Sequence, residues 1–529
     1  MKVIMSKKLQ VLPIGIASFE KLRTRNCLYV DKTEYVYNLA TQATYYFLSR
    51  PRRFGKSLFL STLKALFEGK KALFEGLWIA SSDYQWKTYP IIHLDLFTLP
   101  QTNAQELEAG LGRFLQEHAD LHSINLNPQA SLGEKLSTIV KKLAEKNPVV
   151  VLIDEYDYPI LTHISDKLVA EKCRIILQNF YATLKGLDNY LRFVFLTGVT
   201  KFAKTSIFSG LNNLQDLTMS KQGARLLGYT REELLENFDF HIMRAAQELE
   251  KAPEEIIDQM TTWYDGYQFS AFSEVGGKSA KVYNPWSVLL FFSNNYFDNY
   301  WFETGSPHFF FELMEQQNFQ PIELNNLKIS KADLASFQIN QISLPTLLYQ
   351  TGYLTIESYN SVIENYHLTV PNKEVENSLF KHLMHNFSHV PGAEINNYLK
   401  NLKDAINDAN IDLFCKTLQA FFAQIPSLMH VNFERYYQSI VFMLTKLIGF
   451  ETIGEDSTNL GRIDLVIQTQ NKIYLVEFKT RGSAQEALQQ IEDKQYAQKY
   501  LMANKKIVLV GIFIDVEKRN ITEWVSKTL

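Results

Sequence analysis

The first 235 residues alternate between short, mainly apolar runs and longer helical stretches. Tyr45–Ser49, Ile91–Phe97, Val149–Ile153 and Leu191–Thr197 are the runs, and each predicts a strand. Val149–Ile153 is a continuous apolar run, as a strand buried on both faces should be. Ser57–Phe67 has helical periodicity and follows the first strand after one turn. Strands separated by helical stretches predict a parallel sheet with crossover helices. From about residue 235 to 425, helical spacing dominates and aromatics are frequent, as in Trp263–Phe269 and Trp286–Tyr300. One strand pair is predicted there, near Tyr353–Ile356 and Tyr366–Val370. The pattern changes again near residue 430. Val431–Ile448 predicts an amphipathic helix, whose apolar face includes Phe433, Tyr437, Ile440 and Leu444. Strands Arg462–Gln468 and Ile473–Lys479 follow, parted by the polar turn Thr469–Lys472. A helix over Ala484–Met502 and a strand over Lys506–Ile514 complete the reading.

These patterns divide the chain into an α/β domain with a parallel sheet (1–235), a mostly helical connecting region (236–428) and a C-terminal α/β domain (429–529). The length of 529 residues fits about three units. A net charge of −3 excludes a chain that is basic throughout, so any nucleic-acid contact needs a local patch or a metal site. Cys27, Cys173 and Cys415 lie far apart and form no CxxC pair, which points to a reducing compartment and away from a zinc ribbon. Lys2, Lys7 and Lys8 precede an apolar stretch, but Gln10, Pro13 and Glu20 interrupt it, so a signal peptide is not predicted. No run of apolar residues is long enough to span a bilayer, and a cytoplasmic location is expected.

Ser49–Ser57 reads SRPRRFGKS. A loop that cradles phosphates needs backbone N–H groups pointing inward, a Lys for the β- and γ-phosphates, and a Ser or Thr hydroxyl for Mg²⁺ at a helix start. Gly55, Lys56 and Ser57 supply the end of that pattern between a strand and a helix, with Arg53 and Phe54 leading into it. Arg50 occupies the place of the first glycine. The second half of such a site is Asp154-Glu155, at the end of the apolar run Val149–Ile153. Asp154 is suited to holding Mg²⁺ and Glu155 to polarising the attacking water. Thr197, ending the next strand, is the candidate sensor of the γ-phosphate. The expected ligand is ATP with Mg²⁺.

A second set of groups lies near the C-terminus. Glu477 and Lys479 are two apart on a strand and share a face. Asp464 stands on the preceding strand, and a tight pairing brings the two carboxylates together. Paired carboxylates suit Mg²⁺, which prefers oxygen ligands. Lys479 can position a metal-activated water or offset charge on a phosphate. Glu434, at the border of the helix's apolar face, can lean over this site. Gln490 and Lys494 share a face of the next helix and can reach substrate phosphate or the attacking water.

Many short motifs occur in order: LPIGI (12–16), YVDKT (29–33), RPRRFGKS (50–57), TGVTK (197–201), IFSGLNNL (207–214), YDGYQF (264–269), YNP (283–285), TGYL (351–354), PNKEV (371–375), GRIDLV (461–466), VEFK (476–479) and QIEDKQY (490–496). Together they resemble a family of predicted bacterial and archaeal AAA-ATPase-like proteins with a C-terminal PD-(D/E)XK nuclease domain. The resemblance covers nearly the whole chain. It implies ATP binding at Gly55, Lys56 and Ser57, with Asp154 and Glu155 as the acidic pair. It implies metal binding at Asp464 and Glu477, with Lys479 catalytic and Glu434 supporting. The "PD" dipeptide is Ile463-Asp464 here, a departure that removes no chemical group. Two functions remain open. One is an ATP-regulated, metal-dependent nuclease acting on DNA or RNA. The other is a nucleotide-dependent switch whose C-terminal domain binds nucleic acid without cutting it.

Overall fold

The computed structural model describes residues 10–529 except 203–206, 209–210, 212, 273, 276, 302–307, 336–340 and 427–433. The lysines near the N-terminus, parts of 207–214 and the predicted helix start at 431–433 lie outside the described residues. The chain separates into two compact units, residues 1–304 with 328–373 and residues 305–327 with 374–529. The segment 236–428, predicted as one connecting region, is therefore shared between both.

The first unit is built on the predicted parallel sheet. Its strands are β1 (Tyr45–Ser49), β2 (Ile91–Asp95), β3 (Val149–Asp154), β4 (Leu191–Gly198) and the short β5 (Gln215–Asp216). Their spatial order is β2-β3-β4-β1-β5, all parallel. Every residue of β1 and β3 is buried, in keeping with sequences that are apolar up to their last residue. In open sheets of this kind, ligands bind beyond the carboxyl ends of the strands. Beside the sheet, helices Arg231–Asn237, Asp239–Glu248, Pro253–Tyr264 and Pro285–Asn294 pack a second core. Leu28 and Val30, from far earlier in the chain, insert into that core beside Phe238, Tyr264 and Phe291. The unit also holds a small hairpin, β6 (Glu274–Val275) with β7 (Lys278–Ser279). A three-stranded sheet has the order β8-β10-β9, from β8 (Leu327–Ser330), β9 (Thr355–Asn360) and β10 (Asn365–Thr369). β9 and β10 are the predicted pair, each shifted along the chain from its predicted range.

The second unit contains a five-stranded sheet in sequence order: β11 (Glu451–Ser457), β12 (Arg462–Gln468), β13 (Lys472–Lys479), β14 (Lys506–Asp515) and β15 (Asn520–Thr528). All neighbours are antiparallel except β13 and β14. Helix Glu434–Ile448 packs on β11, β12 and β13, and helix Ala484–Asp493 on β13, β14 and β15. Two edge strands exceed the predicted order of helix, strand, strand, helix, strand. β11 carries Glu451, Glu455 and Asp456, and β15 is largely exposed, so neither shows an apolar run. The helix predicted over Ala484–Met502 stops at Asp493, where Gln495 takes a left-handed conformation (φ 50°), and tighter turns continue over Tyr496–Ala503.

Candidate nucleotide and carboxylate sites

The phosphate loop leaves the buried end of β1 and enters helix Lys56–Phe67 through Gly55, whose φ of 89° favours glycine. Gly55 has no side chain to cap the helix, so the first-turn N–H groups stay available for an anion. Lys56 is buried. Its Nζ donates to the carbonyls of Arg50 (3.2 Å) and Pro51 (3.3 Å) and pairs with Glu155 Oε1 at 3.5 Å. Asp154 ends β3, is 3% exposed and accepts a hydrogen bond from Ser57. Burial, with Glu155 beside it, pushes the Asp154 carboxyl up to about 6. Glu155 has a left-handed backbone (φ 50°) and lines the same cavity as Gly55, Lys56 and Ser57.

That cavity measures about 500 Å³. Arg53 lines it, with its guanidinium 4.2 Å from the Trp286 ring. Pro13, Ile16, Ala17, Tyr229 and Pro285 form much of its apolar wall. Two candidates are placed differently. Phe54 turns its ring into the core, against Tyr267 and Phe269, so only its backbone is left for phosphate. Thr197 is fully buried, and its hydroxyl donates to the Leu48 carbonyl of β1 (2.9 Å). The structure thus ties this side chain to the sheet and does not bring it to the cavity.

At the C-terminal site, the ladder between β12 and β13 ends at Leu465 opposite Val476. One step further in that register, Asp464 opposes Glu477. Asp464 Oδ2 accepts the Phe478 N–H (2.8 Å). Lys479 Nζ lies 3.6 Å from Glu477 Oε1, which also accepts from Gln490. Glu477 Oε2 is buried without a hydrogen-bond partner. Burial raises both the Asp464 and the Glu477 pKa, the Asp464 charge raises that of Glu477 further, and Glu434 raises both. Glu434 is the first described residue of its helix, and its Oε2 accepts the Thr480 N–H (3.1 Å) at the end of β13. The structure therefore gathers Glu434, Asp464, Glu477, Lys479 and Gln490. Lys494 follows its helix as an exposed C-cap.

The sequence profile of the predicted AAA-ATPase family matches residues 13–208, and that of the PD-(D/E)XK nuclease superfamily matches residues 432–524. A protein described as "Uncharacterized protein in vnfD 5'region", from Azotobacter chroococcum mcd 1, is 35% identical over 533 residues, covering 98% of this chain and 99% of that one. The chain belongs to the predicted AAA-ATPase family, with a PD-(D/E)XK superfamily domain at its C-terminal end. A solved chain of the Aeropyrum pernix ORC1 protein in complex with DNA aligns over 66% of this chain and 91% of that one, at 13% identity and a TM-score of 0.23. That likeness is too low to carry an argument.

Within this family member, three further residues shape the sites, and single glycines are their sequence signal. Gly511 on β14 stands beside Glu477 in register, and a Cβ there would lie 2.3 Å from the Ala484 carbonyl. Its absence lets helix Ala484–Asp493 approach closely enough for Gln490 to reach Glu477. Gly461 leaves room for the Tyr496 hydroxyl, which bonds Gln490. Gly198 leaves room for Asp157, whose buried carboxylate accepts the N–H groups of Val199 and Thr200. Among the described residues, no group of three or more His, Cys, Asp and Glu could hold an ion. Mg²⁺, however, commonly binds through one or two carboxylates and keeps several waters. The unpartnered Glu477 oxygen and the raised pKa of both carboxyls fit such an ion. No helix among the described residues is long and apolar enough to cross a membrane.

Proposed function

We propose that this protein is an ATP-regulated, Mg²⁺-dependent nuclease acting on DNA or RNA. The observation that carries the reading is the pair of half-buried Asp464 and buried Glu477 on adjacent strands, with Lys479 beside them, in a chain that also holds the Lys56 loop. A bound divalent cation would lower the pKa of its water and offset charge on the scissile phosphate. Asp464 and Glu477 would hold it through their carboxylates. Lys479 stands where it can orient that water and stabilise the developing negative charge. Gln490 fixes Glu477, and Glu434 fixes the end of β13 through the Thr480 N–H. At the other site, Lys56 would exchange Glu155 for the β- and γ-phosphates, freeing Glu155 to orient water for hydrolysis.

The test is to incubate full-length protein with single- and double-stranded DNA and with RNA, with Mg²⁺, in the presence and absence of ATP. Cleavage by wild type, its dependence on ATP and its loss in Lys479→Ala are expected. ATP-dependent binding of nucleic acid with no cleavage would instead support the nucleotide-dependent switch.

A further inference from the structure

The motifs of the middle segment are not part of either set of reacting groups, yet several of them meet beneath the phosphate loop. Arg50, in the place of the loop's first glycine, is 1% exposed. One of its guanidinium nitrogens, Nη1, donates to the carbonyls of Ser49 (2.8 Å) and Thr218 (2.7 Å), and Nη2 to that of Gly223 (2.7 Å). The guanidinium also lies 4.2 Å from the Phe269 ring of the YDGYQF motif. Phe54, at the other end of the loop, packs edge-on against that same ring and against Tyr267, with centroids 5.3 and 4.8 Å away. Between them, Pro51 rests on Gly352 of the TGYL motif, where a Cβ would come within 2.7 Å of the proline. The Arg52 carbonyl accepts the Trp301 indole N–H (3.1 Å).

Every residue from Arg50 to Phe54 except Arg53 is thus held from below. Meanwhile Lys56 Nζ bridges the Arg50 and Pro51 carbonyls from above. A planar guanidinium suits the lower bracket, because it presents several donors in a fixed fork and stacks on an aromatic face at the same time. Lysine offers neither the fork nor the plane.

We propose that Arg50 and Phe269 are the positioning residues of the nucleotide site. They hold the loop in a fixed shape in place of its first glycine, and so set where Lys56 and Ser57 meet the γ-phosphate and its metal. This rests on the reading of the loop as an ATP site. The loop's dependence on the bracket is also measurable without any nucleotide.

The experiment uses full-length wild type, Arg50→Lys, Phe269→Leu and Phe269→Tyr. Hydrogen exchange of peptides spanning residues 50–57 is measured without nucleotide, alongside a fluorescent ATP analogue's affinity and the rate of ATP hydrolysis. Arg50→Lys and Phe269→Leu should exchange at least about tenfold faster in the loop, with unchanged exchange in β3 and β4. Their turnover should fall by about tenfold or more while nucleotide affinity falls less, and Phe269→Tyr should restore both. Loop exchange in Arg50→Lys equal to wild type overturns the proposal, whatever ATP does. Faster loop exchange in a protein whose wild type binds no ATP supports the bracket and overturns the ATP reading instead. Global unfolding of Arg50→Lys would appear as faster exchange in β3 and β4. In that case Phe269→Leu against Phe269→Tyr decides, and equal loop exchange in those two overturns the proposal.

Discussion

The phosphate loop and the carboxylate pair occupy the same kind of place, the end of a buried strand, but they solve opposite electrostatic problems. At the loop the buried charge is Lys56, and the protein satisfies it internally with two carbonyls and Glu155. Asp154 nearby receives the Ser57 hydroxyl. At the end of β13 the protein sets the buried carboxylate of Glu477 beside the half-buried one of Asp464. It gives them one amide, one lysine and one glutamine, and it leaves an oxygen of Glu477 without a partner. The first site is complete without a ligand and must open a contact to accept one. The second is left short of positive charge, and a cation relieves it. Ligand binding should therefore compete with internal contacts at the loop and stabilise the fold at the carboxylates.

The largest expected effect lies at the second site. Asp464→Asn keeps the shape but halves the carboxylate pair, and cleavage should fall by at least about 10²–10³-fold, as when a preorganised charge is removed from a reacting centre. A gel assay with Mg²⁺ checks it, and wild-type cleavage by this variant would separate the pair from the chemistry. Next comes Lys56→Ala. Losing a charge-assisted contact to phosphate costs about 1.5–3 kcal/mol, or roughly 10- to 150-fold in affinity for ATP by calorimetry. Because wild-type Lys56 must first leave Glu155, the measured loss should fall toward the lower end of that range. ATP binding as tight as wild type would remove the loop from the nucleotide site.

How much of this comparison could be read beforehand follows from what each site is made of. The strands β1, β3 and β4 are mainly apolar runs, Gly55-Lys56-Ser57 lies one turn past β1 and Asp154-Glu155 stands at the end of β3, so fold and loop were both legible. The pairing of Asp464 with Glu477 was legible because strands of period two leave little choice of face. The edge strands β11 and β15 were not, since an edge needs no apolar alternation when one side meets solvent. Thr197 shows the limit of reading a strand end by residue type alone. A hydroxyl there serves the neighbouring strand's carbonyl as readily as a phosphate, and only the order β4-β1 decides. The support of Arg50 by Phe269 joins residues 219 positions apart, and no local pattern encodes such a contact.

A smaller effect tests whether the carboxylate pair is short of charge. A carboxyl whose pKa is higher in the folded protein than in the unfolded chain contributes stability that is full below the unfolded pKa and lost as pH rises through the folded one. Asp464 and Glu477 are both raised, chiefly by burial, and then Glu477 by Asp464 and Asp464 by Glu434. The metal-free protein should therefore lose stability from about pH 5 to about pH 8. Glu477→Gln cannot ionise, so in chelator at about pH 8 it should be more stable than wild type by about 1–3 kcal/mol, seen as a Tm higher by a few degrees. The gain should shrink toward about pH 5. Adding Mg²⁺ should raise the Tm of wild type and leave the variant nearly unmoved. A variant less stable than wild type at the higher pH would mean that Lys479 and Gln490 already compensate the charge.

The smallest effect concerns Glu434, which faces the pair from the neighbouring helix and raises the pKa of both carboxyls. Glu434→Gln preserves an oxygen for the Thr480 N–H but removes the negative charge. Both carboxyls should then ionise at lower pH, and the acidic limb of the pH–rate profile, taken at limiting Mg²⁺, should move down by less than about one unit. The rate on the plateau should fall only a few-fold, in keeping with about 1 kcal/mol for a weakened hydrogen bond. The direction carries the information. If Glu434 were itself a principal metal ligand, the variant would lose the plateau as Asp464→Asn does. If it only capped β13, the limb would stay where it is. A downward shift with the plateau largely kept assigns it the intermediate role, a charge that raises the pair's demand for a cation while holding the strand that presents it.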